Sequence, residues 1–495
     1  MKVLVVSFFN DESYGVRSLH ANLIENNIDA YMMFFKLEGK YYISTKDERN
    51  KKSFAGDTNN ATDKEIDLLV DFIKEHKIDT IGFSLVSSHF NMYKKIYEKI
   101  KDIDNLTIIC GGWQASLNPG DCIKYADYVC VGEGEEAFTE LITKLDTQQP
   151  THDIPNFWIK NNGSIIKNAV RPLHKDLSQF PIPLFEHKYS YFIENDELQN
   201  YELYFDNTRY GTFIGRGCPF KCTYCSNSYM VGIYEKSWSN ARHRSIEHVK
   251  SEMLVLKEKL TKVQSINFYD EVFSPSIEWI REFFDWYGKE IHIPFFCFFF
   301  PGTCTDEKCE ILANAGMKGV WIGIQSGSQR VRKEIFKRHY SNKGLLKQAE
   351  IFHKHGVSVR YDFILDNQFE SFEESLESIY LMLELPQPYS LNLFSLKYFP
   401  NTEITQMAID KGIVSESDLD DKQKEDKDSY LISKHAKTQD DKFINQMALL
   451  ISFNAKEPFT DKFKNKVHEL IDNYKITKDI TIVEDILESQ MSQIS

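Results

Sequence analysis

Alternation of strand and helix patterns along two long stretches constrains the fold of this chain most strongly. In residues 1–145, short apolar runs of strand length alternate with segments whose apolar residues recur at helical spacing. In residues 205–404, a strand pattern followed by a helix pattern occurs six times. Strands separated by helices form parallel sheets covered by helices, and ligands bind at the carboxyl ends of such strands. The sequence therefore predicts an α/β chain with two ligand-binding edges.

The predicted elements define four segments. In the first, 1–145, strands are predicted at 2–7, 30–35, 80–86, 106–110 and 128–131, and helices at 16–26, 63–76 and 91–101, with a polar surface loop at 36–60. Residues 146–204 contain prolines and are predicted as a linker that includes a hairpin through Asn161–Gly163. In 205–404, strands are predicted at 212–216, 265–269, 294–299, 319–324, 358–364 and 390–396. Residues 405–495 are predicted as a helical C-terminal region.

Composition narrows the class of protein. Of the 495 residues, 42% are hydrophobic and 27% charged, which is typical of a soluble globular protein. The net charge of −14 weighs against a nucleic-acid backbone as the main partner, and no apolar run reaches the roughly 18 residues of a membrane span. The start of the chain is predicted to be a strand and not a signal peptide. Nine cysteines, an odd number, fit a reducing cytoplasm.

Three cysteines are spaced as Cys218-x-x-x-Cys222-x-x-Cys225, directly after the first predicted strand of the second stretch. Three thiolates on one short loop can hold three irons of a four-iron cluster and leave the fourth iron open for catalysis. Zinc is the alternative, but a structural zinc site takes four ligands and usually has CxxC spacing. The spacing therefore favours a [4Fe–4S] cluster.

This loop resembles the CxxxCxΦC signature of the radical S-adenosylmethionine (SAM) enzymes, with Tyr224 as the aromatic residue. The resemblance implies a partial (β/α)6 barrel over 205–404, with SAM bound to the open iron. It implies that an electron, from a donor such as flavodoxin or ferredoxin, cleaves SAM to methionine and a 5′-deoxyadenosyl radical. That radical would abstract hydrogen from a small-molecule or peptide substrate.

Two further segments resemble motifs of the same family. Asp270 and Glu271 follow the second barrel strand and resemble an acidic segment whose carboxylates face the amine or ribose of SAM. Gln325 and Ser326 follow the fourth strand and resemble a G-x-E-S-G-S motif in which glutamine here replaces glutamate. An amide still hydrogen-bonds polar atoms of SAM but carries no charge. The resemblance therefore assigns these four residues, with Tyr224, to SAM.

Glycines follow the predicted strands of the first stretch and let the backbone approach a bulky ligand. Together with Ser84, these strand ends resemble the cobalamin-binding, Rossmann-like domain that precedes many radical SAM barrels. The resemblance implies that cobalamin binds against Ser84, Gly111, Gly112, Gly132, Glu133 and Gly134. One departure is that the first strand–helix loop, Asn10 to Gly15, lacks the histidine of the DxHxxG motif. The missing histidine implies that the cobalt of bound cobalamin has no histidine ligand.

The expected function is that of a cobalamin-dependent radical SAM enzyme. We expect one SAM to methylate reduced cobalamin, a second SAM to give the radical, and the substrate radical to take the methyl group at an unactivated carbon. An alternative is ring closure, rearrangement or oxidation without methyl transfer. A further alternative, from another class, is a cobalamin or redox sensor without turnover.

Overall fold

The computed structural model describes residues 1–9, 13–36, 61–161, 163–183, 189–200, 208–234, 241–415, 419, 436 and 438–494. Two sheets, each mostly or wholly parallel, organise the chain, which confirms the predicted α/β class. The predicted loop at 36–60 lies outside the described residues from position 37 onward. No helix of the described part is both long and apolar enough to cross a membrane.

The strands of the first sheet are β1 (Lys2–Phe8), β2 (Asp29–Phe35), β3 (Thr80–Ser84), β4 (Thr107–Gly111), β5 (Tyr128–Cys130), β6 (Phe157–Asn161), β7 (Ser164–Lys167), β8 (Ser190–Glu194) and β9 (Glu197–Asn200). Their order in the sheet is β7-β6-β5-β4-β3-β1-β2-β8-β9. Strands β1 to β5 are parallel and lie where the sequence predicts them. The predicted linker 146–204 adds β6–β9 to both edges, so the sheet continues beyond the predicted boundary at 145.

Helices cover both faces of this sheet. Apolar residues of Tyr14–Glu25 and Glu135–Asp146 share a core with Val3 and Val5. On the opposite face, Asp63–His76 and Phe90–Ile100 pack on the alternate residues of β1. A capping box at Thr62 starts the first of these two helices. The arrangement is doubly wound, so the carboxyl ends of the strands are left open to a ligand.

The second sheet has six strands, all parallel and in sequential order. They are β10 (Arg209–Thr212), β13 (Ser265–Phe268), β14 (Phe295–Phe299), β15 (Met317–Gln325), β16 (Ser358–Leu365) and β17 (Tyr389–Ser395), while β11 (Gly215–Arg216) and β12 (Arg242–His243) form a separate pair. The helices after these strands are Ser226–Tyr234, Ile246–Lys259, Ile277–Glu290, Asp306–Asn314, Asn342–Lys354 and Phe372–Glu384. This is the expected (β/α)6 partial barrel.

The first barrel strand differs from its prediction at 212–216. The strand ends at Thr212, and Gly215 and Arg216 pair instead with β12 in antiparallel register. The carboxylate of Asp270 accepts hydrogen bonds from the backbone N–H groups of Ile214 (3.0 Å) and Gly215 (2.6 Å). These bonds draw the chain out of the sheet just before the cysteine loop.

The C-terminal region is helical where it is described, as predicted. Its helices are Glu403–Asp410, Gln439–Asn454, Asp461–Thr477 and Thr481–Ile494. The second of them packs on the barrel, since Phe443 and Met447 are buried in the main core and Asn445 Nδ2 donates to Asp366 Oδ1 at 2.9 Å. This region therefore closes the outside of the last barrel strands.

Candidate functional site

A cavity of about 440 Å³ lies where the carboxyl ends of the first sheet face the barrel. The residues predicted for cobalamin all line this cavity: Ser84, Gly111, Gly112, Gly132, Glu133 and Gly134. On the other side, Gly217 and Glu271 of the barrel line the same space. Gly217 directly precedes Cys218, so the fold brings the glycine-rich strand ends and the start of the cysteine loop to one cavity.

Backbone geometry explains one of these glycines, and a serine ties their loops together. Gly112 has φ +85°, and a Cβ there would lie 2.8 Å from the backbone N and O of Leu85, so only glycine fits. Ser116 Oγ accepts from the Gly132 N–H and donates to the Gly112 carbonyl, both at 2.9 Å. Sequence reasoning missed Ser116, although it lies one helical turn after Gly112.

The cavity wall suits a planar, mostly apolar ring. Seven glycines line it, and a Cβ on Gly111 would approach nothing more closely than 3.8 Å. The indole of Trp113 is 40% exposed beside them. At Gly132, however, a Cβ would lie 1.9 Å from Tyr234 Oη, which accepts a 2.6 Å hydrogen bond from the Glu133 N–H. The wall thus fits a corrin along Gly111, while the Tyr234 ring occupies the space beside Gly132.

The cysteine loop lies between β11 and the helix Ser226–Tyr234 and is anchored through Thr223. The Thr223 N–H donates to Phe336 O at 3.3 Å, and its Oγ1 donates to Ile335 O at 2.6 Å. Burial raises the pKa of Cys218 to about 12 and that of Cys225 to about 11. Both thiols are therefore neutral at pH 7 without metal, and binding of iron must release their protons.

The described residues contain no group of three His, Cys, Asp or Glu side chains placed to hold a single metal ion. In a four-iron cluster each thiolate binds a different iron, so the cysteines lie farther apart than the ligands of one ion. A second observation fits a cluster: Arg338 Nη1 lies 3.3 Å from Cys222 Sγ and 3.2 Å from Tyr224 Oη. This buried cation fits the negative charge of thiolates. Sequence reasoning missed Arg338.

The residues predicted for SAM fall into two groups. Near the loop, both Asp270 oxygens already accept backbone hydrogen bonds, and burial raises the pKa of this carboxyl to about 7. Glu271 Oε2 accepts from the Gly217 N–H at 3.1 Å. The Glu271 side chain lines the cavity and is exposed there, and desolvation by the protein around it raises the pKa of its carboxyl. Asp270 therefore shapes the loop, while Glu271 and the half-buried Tyr224 stay available for the predicted contact.

The second group lies at the end of β15. Gln325 has φ +76° at an irregularity in the pairing of β15 with β16, and such strained backbone is often found at functional sites. Ser326 is fully buried, donates to Glu370 Oε1 at 2.6 Å and accepts from the Ser328 N–H at 3.0 Å. Gln325 is half-buried and the more accessible of the two. A SAM contact stays a prediction for both residues, and the burial of Ser326 makes Gln325 the better candidate.

Ion pairs join the first sheet to the barrel beside the cavity. Glu133, predicted to bind cobalamin, pairs through its carboxylate with Arg242 of β12. Its backbone N–H donates to Tyr234 Oη. Glu135 pairs at 2.6 Å with Arg216, which lies two residues before Cys218. Burial alone would raise the pKa of Glu135, but the Arg216 guanidinium holds it below its usual value. These pairs fix the cysteine loop relative to the glycine-rich strand ends.

Replacing Arg216 by glutamine is expected to destabilise the protein by about 3 kcal/mol at pH 7, because Glu135 is left as an unpaired buried charge. In the wild type, the lowered pKa of Glu135 gives stability that is present above pH 4.5 and lost at lower pH. In Arg216→Gln the pKa of Glu135 rises instead. The difference in thermal midpoint between the two proteins should therefore shrink as the pH falls from 7 towards 5.

The control for this prediction is the double variant Arg216→Gln/Glu135→Gln. It lacks the buried charge and should recover most of the lost stability at pH 7. A pH-independent loss in Arg216→Gln, or no recovery in the double variant, would contradict the role of this pair.

Comparison with known protein families identifies two regions. Residues 212–379 match the Radical SAM superfamily, and residues 56–142 match the B12 binding domain. The first match includes the cysteine loop and β13 to β16, and the second includes β3 to β5 with the strand-end glycines. The two matches therefore meet at the cavity described above.

Two curated relatives align with more than two thirds of this chain. The chain is 24% identical over 353 residues to an uncharacterized methyltransferase of Pyrococcus horikoshii, covering 69% of this chain and 72% of the relative. It is 25% identical over 393 residues to the cytidylyl-2-hydroxyethylphosphonate methyltransferase of Streptomyces wedmorensis, covering 70% of each.

Solved structures share the fold. The radical SAM methyltransferase TsrM from Kitasatospora setae, solved with cobalamin and a [4Fe–4S] cluster, superposes with a TM-score of 0.65 at 14% identity, over 83% of this chain and 78% of TsrM. The cobalamin-dependent SAM radical enzyme OxsB, solved with aqua-cobalamin and SAM, superposes with a TM-score of 0.64 at 15% identity, over 99% of this chain and 75% of OxsB.

Proposed function

This chain is a radical SAM enzyme with a B12-binding domain, and we propose that it transfers a methyl group from SAM, by way of cobalamin, to an unactivated carbon of its substrate. The observation that carries the proposal is the shared cavity. Gly111, Gly112 and Gly132 line one side of it, while Gly217 and Glu271, next to the cysteine loop, line the other. A methyl donor and a radical source facing one space can act on one substrate, since orientation and proximity supply much of the rate.

The chain's own residues would bind and orient the reacting groups. Cys218, Cys222 and Cys225 would be the ligands of the cluster, which when bound would hold SAM and supply the electron for its cleavage. The strand-end glycines would allow the corrin to approach the sheet backbone. Glu271, which lines the cavity beside the loop and accepts from the Gly217 N–H, would accept a hydrogen bond from SAM. Methylation is the activity in the names of the two curated relatives, which supports it here.

The inner face of the barrel is where we propose that the substrate binds. Along β14, buried residues that face the outer helices alternate with half-buried Phe296 and Phe298. The Phe298 ring stacks on Trp321 with centroids 4.8 Å apart. Burial raises the pKa of the nearby inward Asp362 to about 6, although Asn392 donates to it at 2.8 Å. A small molecule or peptide residue with an apolar part and one polar group would match this lining.

We further propose that the enzyme works in the cytoplasm with a flavodoxin or ferredoxin as electron donor. All nine cysteines are free thiols in the structure, which suits a reducing compartment. A low-potential donor is required because an iron–sulfur cluster of this type must be reduced before it can cleave SAM.

The test follows the methyl group of SAM. Anaerobically reconstituted protein, loaded with cobalamin and reduced, is incubated with methyl-labelled SAM and a metabolite extract from the source organism. We expect label to pass first to the corrinoid fraction and then to a product that is not SAM-derived, with formation of 5′-deoxyadenosine.

Each other outcome selects an alternative. Formation of 5′-deoxyadenosine with an unlabelled product would replace methyl transfer by ring closure, rearrangement or oxidation. Absence of 5′-deoxyadenosine from protein that holds both cofactors would indicate a sensor without turnover.

A further inference from the structure

Arg338 is a buried cation beside the cysteine loop that forms no ion pair with a carboxylate of the described residues. Arg338 is only 6% exposed. No carboxylate of the described residues lies within ion-pair distance of its guanidinium. By contrast, the equally buried Arg242 and Arg244 pair with Glu133 and Glu252. Burying an unpaired charge costs several kcal/mol. The Asp362 carboxyl feels the charge of Arg338 without forming an ion pair with it. The site can therefore accept a further negative charge beside the cysteine loop.

The surroundings of Arg338 hold its guanidinium towards Cys222. Nη2 donates to the carbonyl of Gly323, and the planar group lies 4.3 Å above the Phe300 ring. The Phe300 ring also contacts the cysteine loop, because Phe220 of that loop stacks on it with centroids 3.6 Å apart. Nη1 lies 3.3 Å from Cys222 Sγ, and Nε is buried with no hydrogen-bond partner among the described residues.

Backbone features fix the position of this residue as well. Arg338 follows a short π-helix, Val331–Ile335, and the intervening Lys337 has φ +53°. π-Helical turns and left-handed non-glycine residues are uncommon and are concentrated at functional sites. Because Ile335 and Phe336 accept the Thr223 hydrogen bonds of the cysteine loop, the same turn holds both the loop and the cation.

We propose that Arg338 is the counter-charge of the iron–sulfur cluster and sets its reduction potential. Reduction adds one electron to the cluster and leaves every bond and proton in place, so the reduced form carries one more negative charge. A fixed cation that hydrogen-bonds the Cys222 sulfur stabilises this form more than the oxidised form. Cluster potentials respond to net charge and to hydrogen bonds to sulfur in this way. Arg338 is thus a positioning and tuning residue.

The proposal rests on the cluster assigned under the proposed function, but not on methyl transfer. The experiment compares wild type, Arg338→Gln, Arg338→Met and Arg338→Lys after anaerobic reconstitution with iron and sulfide. The reduced cluster is followed by low-temperature electron paramagnetic resonance during a redox titration. For the two neutral variants we expect at least a tenfold fall in the ratio of reduced to oxidised cluster at a fixed potential. This corresponds to a midpoint about 59 mV more negative for a one-electron couple.

Arg332→Gln is the matched control. Arg332 is also buried, lies 4.6 Å from the Tyr340 ring centroid and donates to the carbonyls of Ser326 and Gly327, but does not contact a cysteine. The cluster of Arg332→Gln should have the wild-type reduction potential. The reduction potential of Arg338→Lys should stay close to that of wild type, because the positive charge remains.

The outcomes separate this inference from the proposed function. Wild-type protein that binds no iron would refute the cluster itself. Neutral variants that hold the cluster at an unchanged potential would overturn only the role of Arg338. If neither neutral variant folds, a tenfold fall in the reduced fraction of Arg338→Lys, which keeps the positive charge, would overturn the counter-charge.

Discussion

Replacement of Cys218, Cys222 and Cys225 together by alanine is expected to abolish both iron binding and the formation of 5′-deoxyadenosine, while cobalamin binding is retained. The three thiols are the only cysteines of the loop that follows β11, so their loss removes every proposed ligand of the cluster. The cobalamin wall belongs to the first sheet on the other side of the cavity. Iron content, 5′-deoxyadenosine by chromatography and the visible absorption of bound cobalamin measure the three properties.

Cys304 and Cys309 provide the control for this prediction. Both are buried in the barrel core, outside the loop, and their double alanine variant should keep full iron content. Reductive cleavage of SAM by the triple variant would refute the cluster assignment. Wild-type protein that takes up zinc but no iron would favour the alternative zinc site.

Local signals in the sequence were sufficient for most elements. The helix Asp63–His76 begins after Thr62 as predicted, because a capping box is a local hydrogen-bond pattern. The fourth barrel strand was also located from its apolar run, and the structure extends it to Met317–Gln325. Such features depend on residues close in sequence, so their patterns identify them without knowledge of the fold.

Features that depend on distant contacts were not predictable. The first barrel strand ends early because Asp270, more than fifty residues later, binds the backbone at 214 and 215. Strands β8 and β9 join the sheet at an edge next to β2, and no local pattern indicates that pairing. Arg338 lies 116 positions after Cys222. No motif marks it, because its importance comes only from the fold that brings it to the sulfur.

The candidate site shows the same division. The strand-end glycines were assigned by resemblance, and the structure brings them to one cavity. The sequence did not indicate that Tyr234, nine residues after Cys225, packs on Gly132 and accepts a hydrogen bond from Glu133. The helix that starts at the cysteine loop therefore ends inside the proposed cobalamin groove. Occupancy of that groove and the position of the loop are physically connected.

Replacing Gly111 by phenylalanine is expected to weaken cobalamin binding at least tenfold, equivalent to about 1.4 kcal/mol. Gly111 lies at the end of the inner strand β4 and lines the cavity. A Cβ there would make only ordinary contacts, the nearest being Cys130 Cβ at 3.8 Å. The backbone can therefore accept a side chain, and the aromatic ring would extend into the space proposed for the corrin. Titration of the purified full chain with hydroxocobalamin, followed by visible absorption after gel filtration, measures the affinity.

Gly111→Ala is the matched control, because its methyl group stays in the wall of the cavity. The cobalamin affinity of this variant should remain within a factor of about two of wild type. Iron content of both variants should equal that of wild type, since Gly111 does not contact the cysteine loop. Equal cobalamin affinity for Gly111→Phe and wild type would show that the corrin binds elsewhere, and the shared-cavity argument for methyl transfer would fail with it. If instead cobalamin affinity falls in Gly111→Phe but not in Gly111→Ala, and iron content is constant, the corrin lies against β4 and faces the cysteine loop.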